Sequence, residues 1–239
     1  MPYSSMTLMD VAQMLGADAR YLERMAGRGQ IPCQKVRGQF RFNRAELTEW
    51  LQRNIATMDG GNLAAVDAGM TVRRQARRDE KIITPLLRGE AVTANLGSRT
   101  KSSTLRQLVS LAERMSLVYD AQALLEAVLQ REELGSTAMP GGIAIPHPRG
   151  PLPYAIAEPI LVVARAPHGI VFGALDGQPT RLFFLTASQD DHHHVHVLAR
   201  LCRMLQDEAF VEQLEYAEPA GEMADLLRER ELQVISQSA

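Results

Sequence analysis

The chain of 239 residues has only two cysteines and no apolar run long enough to cross a membrane. Its first residues lack the charged and apolar regions of a signal peptide. Cys33 and Cys202 lie far apart, which argues against a disulfide framework and predicts two reduced thiols. No repeat or low-complexity tract is present. These absences argue against membrane-spanning and disulfide-stabilised classes and predict a cytoplasmic protein with one or two domains and a sizeable core.

Neither sign of charge dominates the chain, whose formal net charge is −2, but the charge is distributed unevenly. Residues 1–81 carry 13 Lys and Arg against 9 Asp and Glu, a balance of +4. Residues 82–239 carry 13 against 19, a balance of −6. A basic N-terminal part on an acidic body indicates an anionic partner for the first part.

The most informative stretch is LGSTAMPGGIAIPHPR at residues 134–149. A polar, glycine-rich loop leads into a short apolar strand at residues 143–145, and His147 follows between two prolines that cannot extend a sheet. A neutral imidazole is a nucleophile, and Arg149 and the upstream Arg131 are suited to an oxyanion such as phosphate. From these residues alone, His147 is either a reactive group or a turn residue capped by backbone carbonyls.

The segments LGST and GGIAIPHPR resemble the phosphorylation-site signature of the enzyme IIA domain of the bacterial phosphotransferase system, in its fructose/mannitol and nitrogen-regulatory branch. The resemblance extends over residues 82–232 through TPLL, QREELGST, FGALDGQP and LFFLTA. It implies the mannitol-type IIA fold, an α/β fold in which helices sandwich a mixed β-sheet. The alternation of apolar strands with amphipathic helices in this part of the chain favours the same class.

The resemblance implies that His147 accepts a phosphoryl group from the phosphocarrier protein HPr or its nitrogen-branch relative. The group would come from phosphoenolpyruvate through enzyme I, and the chain itself would need no cofactor and no metal. By matched position, Arg131 and His194 are the implied active-site neighbours of His147. The sequence departs from the signature at Ala138, where the family often has glycine. Further candidates for contacting the phosphoryl oxygens are Ser136, Thr137 and Arg149.

The sequence of residues 1–55 predicts two short helices, a β-hairpin and a third helix. Thr7 and Asp18 are predicted N-caps of the first two helices. In residues 31–42, apolar and polar side chains alternate on both sides of a glycine-containing turn. This pattern predicts a β-hairpin. Asn43 is then the predicted start of the third helix.

This order resembles the small winged-helix DNA-binding domain of the excisionase and MerR-like group, on the segments LMDVAQMLG, RYLERMAGRGQIP, VRGQFRF and RAELTEWL. In such domains the second helix enters the major groove and the wing contacts phosphates. Two alternatives remain open, a solvated basic face or a fold that binds protein. Because one small domain binds DNA weakly, useful affinity would need a dimer or tandem copies. The DNA-facing candidates by position are Arg20, Arg24, Lys35, Arg37 and Arg41.

Residues 56–81 are predicted to form a basic linker that can be helical. Residues 59–62 indicate a turn, and residues 63–69 are rich in alanine without a clear apolar face. We expect a solvated helix here, and the alternative is a DNA-backbone arm or a dimerising helix. The basic run consists of Arg73, Arg74, Arg77, Arg78 and Lys81.

Four histidines cluster where a helix is predicted to begin, at positions 192, 193, 194 and 196. His192 and His196 are one helical turn apart, a spacing that suits a metal ion. No cysteine or carboxylate lies at a matching ligand spacing, so we expect exposed polar side chains and no metal.

The sequence therefore predicts a winged-helix domain at residues 1–55, a linker at 56–81 and a phosphotransferase-system enzyme IIA domain at 82–239. The first hypothesis is a histidine phosphoryl carrier whose phosphorylation state regulates an unidentified partner. The fused DNA-binding-like domain, without IIB or IIC segments, favours regulation over sugar uptake. The alternatives are a DNA-binding transcription regulator whose IIA-like domain senses without transferring phosphate, and a IIA component of fructose-type uptake.

Overall fold

The computed structural model describes residues 5–73 and 80–237, which form two β-sheets and nine α-helices. The predicted basic residues Arg74, Arg77 and Arg78 lie outside the described residues. The N-terminal elements are β1 (Ser5–Thr7), α1 (Leu8–Leu15), α2 (Ala19–Gly27), β2 (Gln34–Val36), β3 (Gln39–Asn43), α3 (Arg44–Asn54) and α4 (Gly60–Arg73). The remaining elements are β4 (Val92–Thr93), α5 (Lys101–Arg114), α6 (Ala121–Glu133), β5 (Ala138–Met139), β6 (Ile143–Ala144), β7 (Ile160–Ile170), β8 (Thr180–Ala187), α7 (Asp191–Met204), α8 (Glu208–Tyr216) and α9 (Ala220–Ser236).

Side-chain caps set the starts of the N-terminal helices. Thr7 caps α1 and forms a reciprocal capping box with Asp10. Asp18 accepts a hydrogen bond from the backbone of Tyr21 at the start of α2, and Asn43 caps α3. The two predicted caps, Thr7 and Asp18, and the predicted start of the third helix at Asn43 are thus confirmed.

The small sheet has the order β1-β3-β2 with antiparallel neighbours. Arg37 and Gly38 join β2 to β3 with positive φ angles of 50° and 84°, the conformation of a two-residue turn that matches the twist of a hairpin. The hairpin is confirmed, whereas β1, only three residues long, was not anticipated because it lacks a strand pattern of its own.

The large sheet has the strand order β4-β7-β8-β6-β5 and mixes parallel with antiparallel neighbours. Its central strands alternate between two cores. Leu161 and Phe184 face a core shared with α7, α8, α9 and the N-terminal elements, whereas Val162 and Phe183 face a core shared with α5 and α6. Helices therefore cover both faces, which confirms the predicted α/β sandwich.

The prediction that residues 56–81 form a solvated linker helix is wrong for α4. Leu63, Val66 and Met70 are at most 3% exposed, and α4 packs between α1 and α7. The interpretation failed because α4 buries two faces, against different helices, and so has no single apolar stripe.

A buried ion cluster joins α4 to the large domain. Asp67 of α4 accepts hydrogen bonds from Arg200 at 2.7 Å and from Arg203 at 3.1 Å, both on α7. Burial raises the pKa of Asp67, but its contacts with His196 and Arg200 outweigh burial and hold the pKa below its ordinary value. Arg200 also lies 3.3 Å from Glu231 of α9. Because removing one partner would leave a buried charge uncompensated, this cluster fixes α4 on α7.

In the part of the chain that the structure describes, no helix has the length and apolar character needed to cross a membrane. Cys33 and Cys202 are free thiols, as predicted.

Candidate functional site

The strand β6 and the loop after it carry His147 to the edge of the large domain. The backbone N–H of Ile145 donates to the carbonyl of Thr137 at 3.1 Å, and that of Thr186 in β8 donates to the carbonyl of Pro146 at 3.0 Å. The chain is thus held on both sides immediately before His147, which confirms that His147 stands at the exit of a short strand.

The ring of His147 is fixed by one hydrogen bond. Its Nδ1 lies 2.7 Å from the carbonyl oxygen of Ile145, and the side chain is 4% exposed. Because a carbonyl can only accept, Nδ1 carries the proton when the ring is neutral, and the lone pair is on Nε2. Among the described residues, Nε2 has no hydrogen-bond partner.

His194 lies beside His147, as the sequence predicted. It follows the Asp190 cap in the first turn of α7, and the two ring centroids are 5.3 Å apart. Burial, followed by the charges of His193 and Arg131, lowers the pKa of His194 to about 4. The pKa of His147 lies well below its ordinary value because of burial, then His194 and Arg131. Both rings are therefore neutral at neutral pH.

Arg131 stands at the end of α6, and its guanidinium lies close enough to both histidines to affect their pKa values. Its Nη1 donates to the carbonyl of Gly135 at 3.0 Å, and the residue is 7% exposed. Burial lowers the pKa of Arg131, and Glu132 acts in the opposite direction. The structure thus brings together His147, His194 and Arg131 and places a positive charge near two neutral imidazoles.

Glu132 is a residue of the site that the sequence reasoning missed. Its buried carboxylate accepts from the backbone N–H of Thr137 at 3.0 Å and from the Thr137 hydroxyl at 2.6 Å, and it pairs with Lys101 at 2.7 Å. Glu132 follows Leu124 and Val128 at four-residue spacing. This spacing could have predicted from the sequence that Glu132 lies on the buried face of α6.

Ser136 and Thr137, expected to contact a phosphoryl group, direct their hydroxyls elsewhere in this structure. Ser136 Oγ lies 2.9 Å from Glu132 Oε1 and 2.8 Å from the carbonyl oxygen of Phe172. Both hydroxyls therefore hold the loop in shape, and their contact with phosphate stays a prediction.

Arg149 is not directed at the histidine pair. Its side chain is 60% exposed, and Nη2 donates to Glu49 Oε2 of α3. Arg149 therefore links the loop of His147 to the N-terminal domain, a contact that no sequence pattern indicated.

The predicted exposure of the histidine cluster is wrong for His194 and His196, which are at most 1% exposed. His196 Nε2 lies 3.1 Å from Asp67 Oδ1 and 3.2 Å from the hydroxyl of Thr71, both on α4. For His196 the error has the same cause as for α4, because that helix covers this residue of α7. Over residues 5–73 and 80–237, no group of three His, Cys, Asp or Glu could hold a metal ion.

The candidate DNA-binding residues lie on α2 and the hairpin. Arg20, Arg24, Lys35 and Arg37 are exposed, whereas Arg41 is half-buried and its Nη2 donates to Gln39 Oε1 at 3.1 Å. Four of the five basic side chains thus face solvent on the second helix and the wing, and their contact with DNA stays a prediction.

The fold and the site define an α/β domain that holds a buried pair of histidines next to an arginine, preceded by a domain of short helices and a β-hairpin. The family model described as phosphoenolpyruvate-dependent sugar phosphotransferase system, EIIA 2, matches residues 85–230, and the model of a helix-turn-helix domain matches residues 5–55. The chain therefore belongs to the type-2 enzyme IIA family of the phosphotransferase system and carries an N-terminal helix-turn-helix domain. The recognition made from the sequence is confirmed.

Two relatives are similar over nearly their whole length. The fructose-specific EIIA component of Haloferax volcanii is 33% identical over 153 residues, which are 63% of this chain and 96% of that protein. The nitrogen regulatory protein of Bradyrhizobium diazoefficiens is 33% identical over 147 residues, 61% of this chain and 94% of that protein. The fructose-specific EIIABC component of Bacillus subtilis is 30% identical over 151 residues, and the match spans 23% of its length.

Solved structures show the same fold. The nitrogen regulatory protein IIA-Ntr of Neisseria meningitidis superposes with a TM-score of 0.56 at 23% identity, covering 62% of this chain and 99% of that one. The mannitol IIA of Escherichia coli gives a TM-score of 0.53 at 24% identity, covering 59% and 98%. These likenesses support the mannitol-type IIA architecture of the large domain.

Proposed function

We propose that this protein is a histidine phosphoryl carrier that uses His147 as the acceptor and that its phosphorylation state regulates DNA binding by the N-terminal domain. The donor would be a phosphohistidine of HPr or its nitrogen-branch relative. One observation carries the proposal, namely that the Ile145 carbonyl holds the Nδ1 proton of a neutral His147 and leaves the Nε2 lone pair for attack.

In the proposed step the Nε2 lone pair forms a bond to phosphorus while the phosphorus–nitrogen bond of the carrier breaks. The electron pair of the broken bond returns to the carrier's imidazole. The Nδ1 proton stays on His147 and continues to donate to Ile145, so the acceptor does not have to lose a proton. The phosphoryl group originates from phosphoenolpyruvate, and the step requires no cofactor or metal.

Arg131 and His194 are the proposed partners of the transferring group. Negative charge spreads over the equatorial oxygens in the transition state, so a fixed cation and ring N–H donors stabilise it. The burial of both side chains supports this role, because electrostatic interactions are stronger away from water.

Regulation in the cytoplasm is the use we favour over sugar uptake. The helix-turn-helix domain supports it, as do the nitrogen regulatory relatives. The fructose-specific relatives support uptake as the alternative. A sensing domain that does not transfer phosphate is a further candidate, because Nε2 of His147 is buried in this structure.

The test is intact mass after incubation with phosphoenolpyruvate, enzyme I and HPr or its nitrogen-branch relative. Wild type should gain one acid-labile phosphate, and His147→Ala should gain none. His168→Ala is the matched control, because this histidine lies on β7, bonded to the Ser98 carbonyl, and should leave the gain intact. A wild type without phosphate would refute transfer and favour the sensing domain.

A further inference from the structure

The approach to the histidine pair is bordered by α3 of the N-terminal domain. Glu49 of α3 binds Arg149, which is two residues beyond His147, and its other carboxylate oxygen binds Arg53. The pKa of Arg131 depends most on burial and on Glu132. Two residues of α3 have smaller effects, since Arg53 lowers this pKa and Glu49 raises it. The helix therefore carries charged groups to two of the arginines around His147.

A second contact lies at the other end of the helix. Burial raises the pKa of Asp191, in the first turn of α7, and the nearby Arg44 of α3 acts in the opposite direction. Since His194 is in the same turn of α7, Arg44 brings the start of α3 close to the turn that carries His194. Part of this chain thus borders the approach to the histidine pair on the sides of Arg149 and Asp191.

Helix α3 buries a polar side chain whose hydrogen-bonding groups are unsatisfied in the described structure. Thr48 and Gln52 are buried one turn apart on α3, and in the described structure neither amide atom of Gln52 has a hydrogen-bond partner. His147 Nε2 is also buried without a partner. Buried polar groups without partners cost free energy, so the docked arrangement is held less firmly than its burial suggests.

The opposite side of α3 has room for movement. A cavity of about 170 Å³ is lined by Trp50 and Asn54 of α3 together with residues of α2 and α4, including Met25 and Val66. By helical geometry, Trp50 and Asn54 point away from Gln52. Because the buried ion cluster of Asp67 holds α4 on α7, the easiest motion is a shift of α3 toward this cavity.

We propose that α3 is an intramolecular lid over His147, and that a docked α3 and a phosphorylated His147 exclude each other. This inference rests on the proposed phosphoryl transfer. The negatively charged Glu49 carboxylate forms an ion pair with Arg149. A phosphoryl dianion on His147 competes with this carboxylate for the nearby arginines and also repels it. The phosphocarrier and α3 therefore compete for the approach to His147, and phosphorylation displaces α3.

The first test compares phosphorylation rates of the full chain with a limiting phosphocarrier donor. Glu49→Arg places a third cation beside Arg149 and Arg53 and should open the lid, raising the rate at least about threefold, because a partly exposed ion pair is modest and charge reversal adds repulsion. Glu46→Arg, an exposed position on the same helix, makes the same charge change and should leave the rate unchanged.

The second test needs no substitution. Hydrogen–deuterium exchange of wild-type amides in Arg44–Asn54 should increase when His147 is phosphorylated. Unchanged exchange, with equal rates for wild type and Glu49→Arg, would overturn the lid while leaving phosphoryl transfer established. If no form of the protein accepts phosphate, the proposed function fails, and the inference fails with it.

Discussion

Among single residues, His147 and His194 determine how the site responds to pH. Burial lowers the pKa of His194 to about 4 and that of His147 well below its ordinary value. In the unfolded chain both groups titrate near ~6.5. Between these values the unfolded chain binds more protons than the folded one, so the free energy of unfolding falls as the pH drops from about 6.5 toward 4.

We predict that His194→Gln reduces this pH dependence. A group whose folded pKa is depressed contributes up to about 1.4 kcal/mol per pH unit in that window. Urea unfolding at several pH values between about 7 and 4 measures the slope for each protein. His168→Gln, at an exposed position, should keep the wild-type slope. An unchanged slope in His194→Gln would show that this ring does not titrate as a buried neutral group.

Glu132 holds the loop before β5 in place through its hydrogen bonds with Ser136 and Thr137. We predict that Glu132→Gln lowers the free energy of unfolding by about 1–3 kcal/mol, because it removes the charge paired with Lys101 and weakens the bonds to Thr137. Phosphorylation should also slow. Chemical denaturation and the phosphorylation rate test this, with the exposed neighbour Glu133→Gln as control. Equal stability of the two variants would contradict it.

At the scale of elements, the packing of α1 on α4 depends on Gly16. Gly16 ends α1 with a φ of 58°, and a Cβ built there would lie 2.0 Å from the carbonyl oxygen of Ala65 in α4. Glycine is thus required twice, for the left-handed backbone and for the close approach of the two helices.

We predict that Gly16→Ala destabilises the protein more than Gly29→Ala. Gly29 has a similar φ of 68° but no atom within 4 Å of a built Cβ, so its substitution adds only the backbone cost of about 1–2 kcal/mol. Gly16→Ala should cost about 1–3 kcal/mol more because the helices must separate. Thermal and urea unfolding of both variants provide the comparison. Equal losses would mean that α1 and α4 are not held this closely.

At the scale of the whole molecule, the N-terminal part of the chain is basic and the remainder is acidic. We therefore expect DNA to bind through the N-terminal domain. We predict that affinity for a mixed-sequence duplex falls steeply with salt. Replacing Arg20 and Arg24 with alanine should lower the slope of log affinity against log salt by about 1–2, since each phosphate contact contributes about 0.9. Fluorescence anisotropy across a salt series measures it.

The control for DNA binding removes the same charge from the other domain. Arg106 and Arg114 are exposed on α5, and their joint replacement with alanine should leave the slope unchanged. A wild-type protein without salt-dependent binding, or equal slopes in both double variants, would contradict a DNA contact through α2.

Much of the fold followed from local sequence. The caps at Thr7, Asp18 and Asn43, the hairpin turn at residues 37–38 and the apolar strands β7 and β8 are determined by side chains a few positions apart. Local hydrogen bonds and alternation act over these short distances, so their signals are visible in one sequence.

The centre of the site was also accessible from the sequence. The motif around His147 and the matched positions of Arg131 and His194 indicated three side chains that the structure brings together. They come from the exit of a strand and the ends of two helices, and only the family resemblance, not spacing, connected them.

Only the tertiary structure decided which surfaces meet. The burial of α4 between α1 and α7 depends on helices that are far apart in the chain. The pairing of Asp67 with Arg200 and the contact of Glu49 with Arg149 join residues 133 and 100 positions apart. No local pattern encodes such pairs, because a polar residue that is buried by a distant partner looks the same in the sequence as one in water. The sequence by itself determined the elements and the reactive histidine candidate, and the packing of the two domains determined that α3 contacts Arg149, two residues beyond that histidine.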